Sequence, residues 1–264
     1  MSYNYMQPYL GLSNGVQTMN SAGGANMDDS NLKAYYKFNE TSGTVTNQSV
    51  SVDTLGTSAD CTVTGATYNQ VQLPFGAAML FDGVNDYAVL SSSLSLWNWI
   101  HSTTANYTIN YWVRIVSTAN NEFLLGTAHT DDAGAGLRHR QNTSNVIDQY
   151  MTEGSSGGTV CSNPSATSYF STGTDYMVTL RYDQSLGTLN AKQRLNDGAD
   201  TTANKTAKTP LNGDANNPFT IAKNPASASD YGNFYIAELS MWERQLTEAE
   251  IEELYNGGDG LAIY

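Results

Sequence analysis

Charge is scarce in this 264-residue chain, and positive charge is scarcest. Charged residues are 14% of the total, with 12 Lys and Arg against 25 Asp and Glu, giving a net charge of −13. Nucleic acid and anionic membrane surfaces call for clusters of Lys and Arg to neutralise phosphates, so neither is expected as a partner. Long apolar runs are missing too. Nothing approaches the roughly 20 residues of a membrane-spanning helix, and no membrane insertion is expected. The N-terminus, Met1-Ser-Tyr-Asn-Tyr-Met-Gln-Pro, has neither a basic stretch nor an apolar one. No signal peptide is read there, and synthesis in the cytoplasm is expected. Cysteine is limited to Cys61 and Cys161. With no sign of an oxidising compartment, two free thiols are the simpler expectation. His101, His129 and His139 lack zinc-ligand spacing with one another or with the cysteines.

What the chain does have is alternation. Hydrophobic residues are 40% of it and tyrosine alone accounts for 17 positions, so Thr, Ser, Asn and Gln must coat much of the surface. Leu32, Ala34, Tyr36 and Phe38 alternate with polar neighbours, and so do Tyr107, Ile109, Tyr111, Val113 and Ile115; period-2 patterning of this kind marks half-buried strands. Tyr176 to Tyr182 pairs through a turn with Leu189 to Leu195, and Asn196-Asp-Gly198 is a tight-turn signal. Many short strands between turn clusters predict an all-β, two-sheet antiparallel jelly-roll sandwich. The stretch Glu153–Thr174 is too polar to be expected in a core. Residues 1–30 lack periodicity but carry Tyr3, Tyr5, Met6, Tyr9 and Leu10. They are expected to be a separate extension or assembly arm, with residues 31–264 as the folded domain.

The stretch Phe234–Gly258 organises the rest. Its first half reads as a strand with Tyr235, Ala237, Leu239 and Met241 on one side and Phe234, Ile236, Glu238, Ser240 and Trp242 on the other. Large apolar groups on both sides predict an interior strand. A helix then follows, with Thr247 as N-cap, Glu250 closing a capping box, Leu246 stapled onto Ile251, and Gly257-Gly258 as the stop.

This strand–Trp–Leu-Thr–helix–Gly-Gly ending closely resembles that of laminin-G-like and pentraxin-like jelly rolls of the concanavalin A-like lectin/glucanase superfamily. Leu32–Gly43, Ala78–Tyr87 with its Phe-Asp-Gly-x-x-Asp-Tyr pattern, and Tyr107–Val113 resemble that family's earlier strands, in the same order. The resemblance implies the jelly-roll fold over about residues 31 to 258. Glucanases of the superfamily carry Glu-x-Asp-x-Glu on one strand, placing carboxylates side by side across the glycosidic bond; no strand here has that pattern. No catalytic residue is assigned, and the chain is expected not to be an enzyme. In pentraxin-like relatives an Asp-Asn calcium pair lies on the loop resembling residues 129–136. The resemblance therefore implies Ca2+ ligands at Asp131 and Asp132, although Lys223 and Pro225 stand in the loop where the other acidic ligands would lie. Asp82, Asn85 and Asp86 add oxygen donors on a hairpin turn.

For a ligand, Trp97 and Trp99 are candidate sugar platforms because they sit in a connection, with Asp131 and Asp132 as polar contacts; Trp112 and Trp242 fall on strands and are expected in the core. The composition suits contact with surface glycan or with protein subunits of a larger assembly, homo-oligomerisation included. The preferred expectation is a recognition or assembly module on the exterior of a particle, such as a virion decoration or fibre protein. The alternatives are a free calcium-dependent lectin and, behind it, a divergent glycoside hydrolase or lyase.

Overall fold

The computed structural model describes residues 27–70, 72–74, 76–117, 122–128, 135–142, 146–153, 158–165, 170–210, 212–227 and 229–264. The arm expected over residues 1–30 lies, up to residue 26, outside them. The strands run β1 (Leu32–Tyr36), β2 (Cys61–Thr64), β3 (Gln72–Leu73), β4 (Gly76–Ala77), β5 (Met79–Asp82) and β6 (Tyr87–Leu90). They continue with β7 (Asn106–Ile115), β8 (Glu122–Gly126), β9 (Ala135–Gln141), β10 (Ile147–Glu153) and β11 (Thr159–Ser165). The last are β12 (Asp175–Asp183), β13 (Ala191–Leu195), β14 (Thr201–Ala203), β15 (Phe219–Ile221) and β16 (Asn233–Trp242), followed by one helix, α1 (Glu248–Tyr255).

Two antiparallel seven-stranded sheets form the sandwich. Sheet A runs β1-β16-β7-β12-β13-β14, with β5 also on β16; sheet B runs β11-β10-β9-β8-β15-β6-β2. The core between them takes Tyr107, Ile109, Tyr111, Val113 and Ile115 from β7 and Val178, Leu180 and Tyr182 from β12, as alternation predicts. Sheet B contributes Cys61, Ala88, Leu90, Leu125, Leu137, Phe219 and Ile221. Each large apolar side chain fully buried here contributes on the order of 1.5–3 kcal/mol. Cys61 and Cys161 are free thiols in this core, and burial pushes both up, Cys161 to about 12.

Two expectations fail at this level. The segment judged too polar for a core forms β11, and Val160, Cys161 and Phe170 are buried in the main cluster. Buried polar groups there bond to protein amides: Asn163 Nδ2 donates to Thr201 O at 2.9 Å, and Gln193 Nε2 to Asn163 O at 2.6 Å. On β16 the strict alternation breaks. A bulge lies between Ala237 and Ser240, with Glu238 at φ 55, and an extra residue reverses the parity beyond it. Phe234, Ile236, Leu239 and Met241 therefore share the sandwich core, while Ala237 and Trp242 join the cluster on the far side.

That far side of sheet A is covered. Leu32, Tyr35, Trp112, Met177 and Trp242 pack there against Leu246, Ile251 and Leu254. Trp112 stacks on Tyr255 with centroids 6.0 Å apart and planes within 5°. Thr247 and Glu250 form the expected capping box, and Thr108 Oγ1 accepts from Leu246 N while donating to Arg244 O, fixing the turn into the helix. The helix ends one residue before the glycines, with Asn256 left-handed at φ 47. Buried Arg181 donates to Asp200 at 2.6 Å and Glu248 at 2.7 Å, and Arg194 bonds the same two carboxylates, tying α1 to β12 and β13.

Candidate ligand groove

The outer face of sheet B is built differently. Residues opposite one another across the sheet form a row: Thr62 faces Val89, Val89 faces Thr220, Thr220 faces Gly126, Gly126 faces Arg138, Arg138 faces Tyr150, and Tyr150 faces Ser162. A glycine is required at Gly126. Its φ is 148, and a Cβ there would stand 2.2 Å from Leu137 O. In the middle of the row Arg138 is buried over the Tyr150 ring, 4.6 Å to the centroid, and pairs with Asp148 at 2.8 Å.

At the β2–β6 end the sheet opens. Thr62 and Thr64 alternate with Cys61 and Val63, so the cysteine side faces the core and both threonines are exposed. Their cross-strand partners are Val89 and Tyr87. Together with Ser58, Asp60, Ser91 and Ser92 they line a groove of about 440 Å³. Five hydroxyls of Ser and Thr, the Tyr87 phenol and the Asp60 carboxylate thus line one groove, Thr62, Thr64 and Tyr87 from the paired strands and the rest from the segments flanking them. Asp60 Oδ1 already accepts from Asn47 N at 2.8 Å, which holds that side chain in place. At the other end the Lys223 ammonium stands 4.4 Å from the Tyr87 ring centroid and 5.9 Å from that of Tyr231. None of these residues was assigned to a ligand site from the sequence. The Thr-x-Thr and Tyr-x-Val-x-Ser spacings were the available signal, since each puts its members on one strand face.

The residues singled out from the sequence do not come together. Trp97 is fully buried, its Nε1–H donates to Leu90 O at 2.7 Å, and its ring packs 5.3 Å from Phe219. It is a core residue with no ring face for a sugar, which corrects the expectation. Trp99, in the same 3-10 turn, is half-buried 6.4 Å from Trp97. Asp131, Asp132 and His129 lie outside the described residues. In the hairpin turn, Asp82 Oδ1 accepts from Val84 N at 2.8 Å and Asn85 N at 3.4 Å, and Asp86 Oδ2 accepts from Asp82 N at 3.1 Å. Burial raises the Asp86 carboxyl above the usual range. Asn85 is exposed. Among the described residues, no three His, Cys, Asp or Glu side chains gather as a metal site would.

A second polar pair is enclosed. The Tyr35 hydroxyl donates to Glu238 beneath α1, beside a cavity of about 10 Å³. That is room for no more than about one water, so no substrate reaches the pair in this conformation.

No family model and no curated protein matches the chain in sequence. Solved structures do match in fold. A Trypanosoma rangeli sialidase in complex with sialic acid aligns over 87% of this chain and 34% of its own, at 16% identity and a TM-score of 0.59. A binding domain of botulinum neurotoxin serotype D aligns over 86% of this chain and 51% of its own, at 11% identity and a TM-score of 0.60. This chain therefore spans about a third of the sialidase and half of the toxin domain. The likeness establishes the β-sandwich fold. It also corrects the expectation that the chain is not an enzyme: sialidases are enzymes, this fold occurs in them, and a missing carboxylate triplet on one strand gives no ground for excluding catalysis.

Proposed function

We propose that this chain is a glycan-recognition module and that its saccharide site is the hydroxyl-lined groove on β2 and β6. The observation that carries this reading is the convergence of Ser58, Thr62, Thr64, Ser91 and Ser92 with Asp60 and Tyr87 around one groove of about 440 Å³. Such a volume suits a small ligand. Hydroxyls that both donate and accept match the hydroxyls of a sugar, the carboxylate accepts two more bonds, and the tyrosine ring offers an apolar face to sugar C–H groups. Thr62, Thr64 and Tyr87 stand on paired strands, and Asp60 is held by its bond from Asn47 N, so these groups are in position before ligand arrives. Two of the similar structures carry names that point the same way, one in complex with sialic acid and one called a binding domain. The laminin-G-like character of the sequence motifs, and attachment to a larger assembly, belong to the same proposal.

The test is a hydrogen-exchange footprint with a bound oligosaccharide. Amides of residues 58–64 and 87–92 are expected to gain protection, and protection elsewhere with none in these segments would overturn the reading. Repeating it with and without a calcium chelator tests the proposed contribution of Asp82, Asn85, Asp86, Asp131 and Asp132.

A further inference from the structure

After α1 the chain folds back as a strap, residues 259–264, over the outer face of sheet A. Leu261 N donates to Leu254 O at 3.0 Å, and Ile263 N to the Tyr35 hydroxyl at 3.3 Å. Lys37 Nζ donates to Tyr264 O at 2.9 Å, and the Tyr264 hydroxyl to Asp29 at 2.6 Å. The Tyr264 ring meets Tyr35 edge-on with centroids 5.8 Å apart. The hydrogen bonds of this strap to Tyr35 of β1 and to Lys37 just beyond it anchor it there, and Tyr35 in turn donates to Glu238. The glutamate is there because the β16 bulge puts it there: at φ 55 it leaves the strand and turns its carboxyl toward the small cavity beneath the strap. A non-glycine residue in this left-handed region is strained, and such strain persists only where the surroundings fix it.

We propose that Glu238 is a pH-sensitive latch for the strap: with the carboxyl protonated, residues 259–264 lie closed over sheet A, and ionisation loosens them and bares Trp112, Leu254 and Tyr35. The titratable and charged groups facing Glu238 are Tyr35 and Lys37 from β1 and its end, and Tyr264 from the strap through Tyr35. β7 contributes Asn110 and Trp112, β16 Ser240, and α1 Leu254, none of them charged. Burial penalises the ionised carboxylate most; the Tyr35 hydrogen bond and the Lys37 charge oppose it but do not cancel it, and the carboxyl is pushed up to about 7. Lys37 is meanwhile engaged by the strap itself. The sign follows: a raised carboxyl favours the closed, proton-binding form. Closure is strongest below the ordinary glutamate range near 4.5 and weakens as pH rises through about 7.

The experiment is hydrogen exchange of the Leu261 and Ile263 amides across pH, corrected for intrinsic exchange, in the wild-type chain and in Glu238→Gln. Wild-type protection is expected to fall by about two orders of magnitude between about pH 5 and pH 7.5 and then level off. Glu238→Gln should give a flat profile. Equal slopes in the two proteins, or a flat wild-type profile, would overturn the proposal. Carbon-13 NMR titration of the wild-type Glu238 carboxyl decides the matter even where Glu238→Gln does not fold: a midpoint in the ordinary glutamate range sinks the latch.

Discussion

The two outer faces of this sandwich received opposite treatment. On sheet A the outward positions of β7, β12 and β16 carry Trp112, Met177, Ala237 and Trp242 with the buried-ionic Arg181, and the polar Asn110, Thr179 and Ser240 among them are buried too. On sheet B the outward positions of β2 and β6 are Thr62, Thr64, Tyr87 and Val89. An antiparallel sheet can leave one face to water only if that face is polar. Sheet A therefore needed a cover, which α1 and the strap provide. Sheet B at its β2 end did not, and a groove remains there. On the proposed reading, the saccharide site lies on the sheet that the chain leaves uncovered.

The strongest way to break this contrast is to empty the covered side. Trp112→Ala removes the ring between sheet A and Tyr255 and should cost about 3–5 kcal/mol in urea unfolding; a loss below about 1 kcal/mol would mean that α1 is a loose appendage. Arg181→Met comes next. It strips Asp200 and Glu248 of a buried partner, and a loss of about 2–4 kcal/mol is expected, moderated because Arg194 still bonds both carboxylates. Thr247→Ala removes the helix cap and should lower stability by about 1 kcal/mol. On the open side the order reverses. Tyr87→Ala should change stability by less than about 1 kcal/mol while weakening saccharide binding at least about tenfold, as titration calorimetry would read.

The interior adds a pH prediction independent of either face. His101 and His139 are fully buried, and burial lowers both to about 4. A histidine depressed in the folded state contributes stability that is present above its unfolded value near 6.5 and is lost as pH falls through about 4. Each should steepen acid destabilisation by about 1.4 kcal/mol per pH unit across that window. His139→Gln should shallow the slope measured by urea unfolding, and an unchanged slope would show that His139 is hydrated.

Much of the fold was legible because the signals were local. The β7 alternation, the β12–β13 hairpin and the Thr247–Glu250 capping box each need only a few neighbouring residues to declare themselves. The β16 bulge did not show, because Glu238 looks like any outward polar residue until its left-handed backbone reverses the parity of Leu239 and Met241. Nor did β11, whose amide partners Gln149, Thr201 and Gln193 are distant in sequence. Trp97 misled for a related reason: a tryptophan in a connection reads as exposed, yet the short 3-10 turn drives it into the core beside Phe219. The groove needed register. Only the pairing of Thr62 with Val89 and Thr64 with Tyr87 gathers its lining.

The most direct measurement of the central claim is a glycan array probed with the wild-type chain and with Tyr87→Ala. The account predicts at least one saccharide bound by the wild type and lost, or weakened about tenfold or more, in the variant. Equal binding by the two proteins, or no saccharide bound by the wild type, would contradict it.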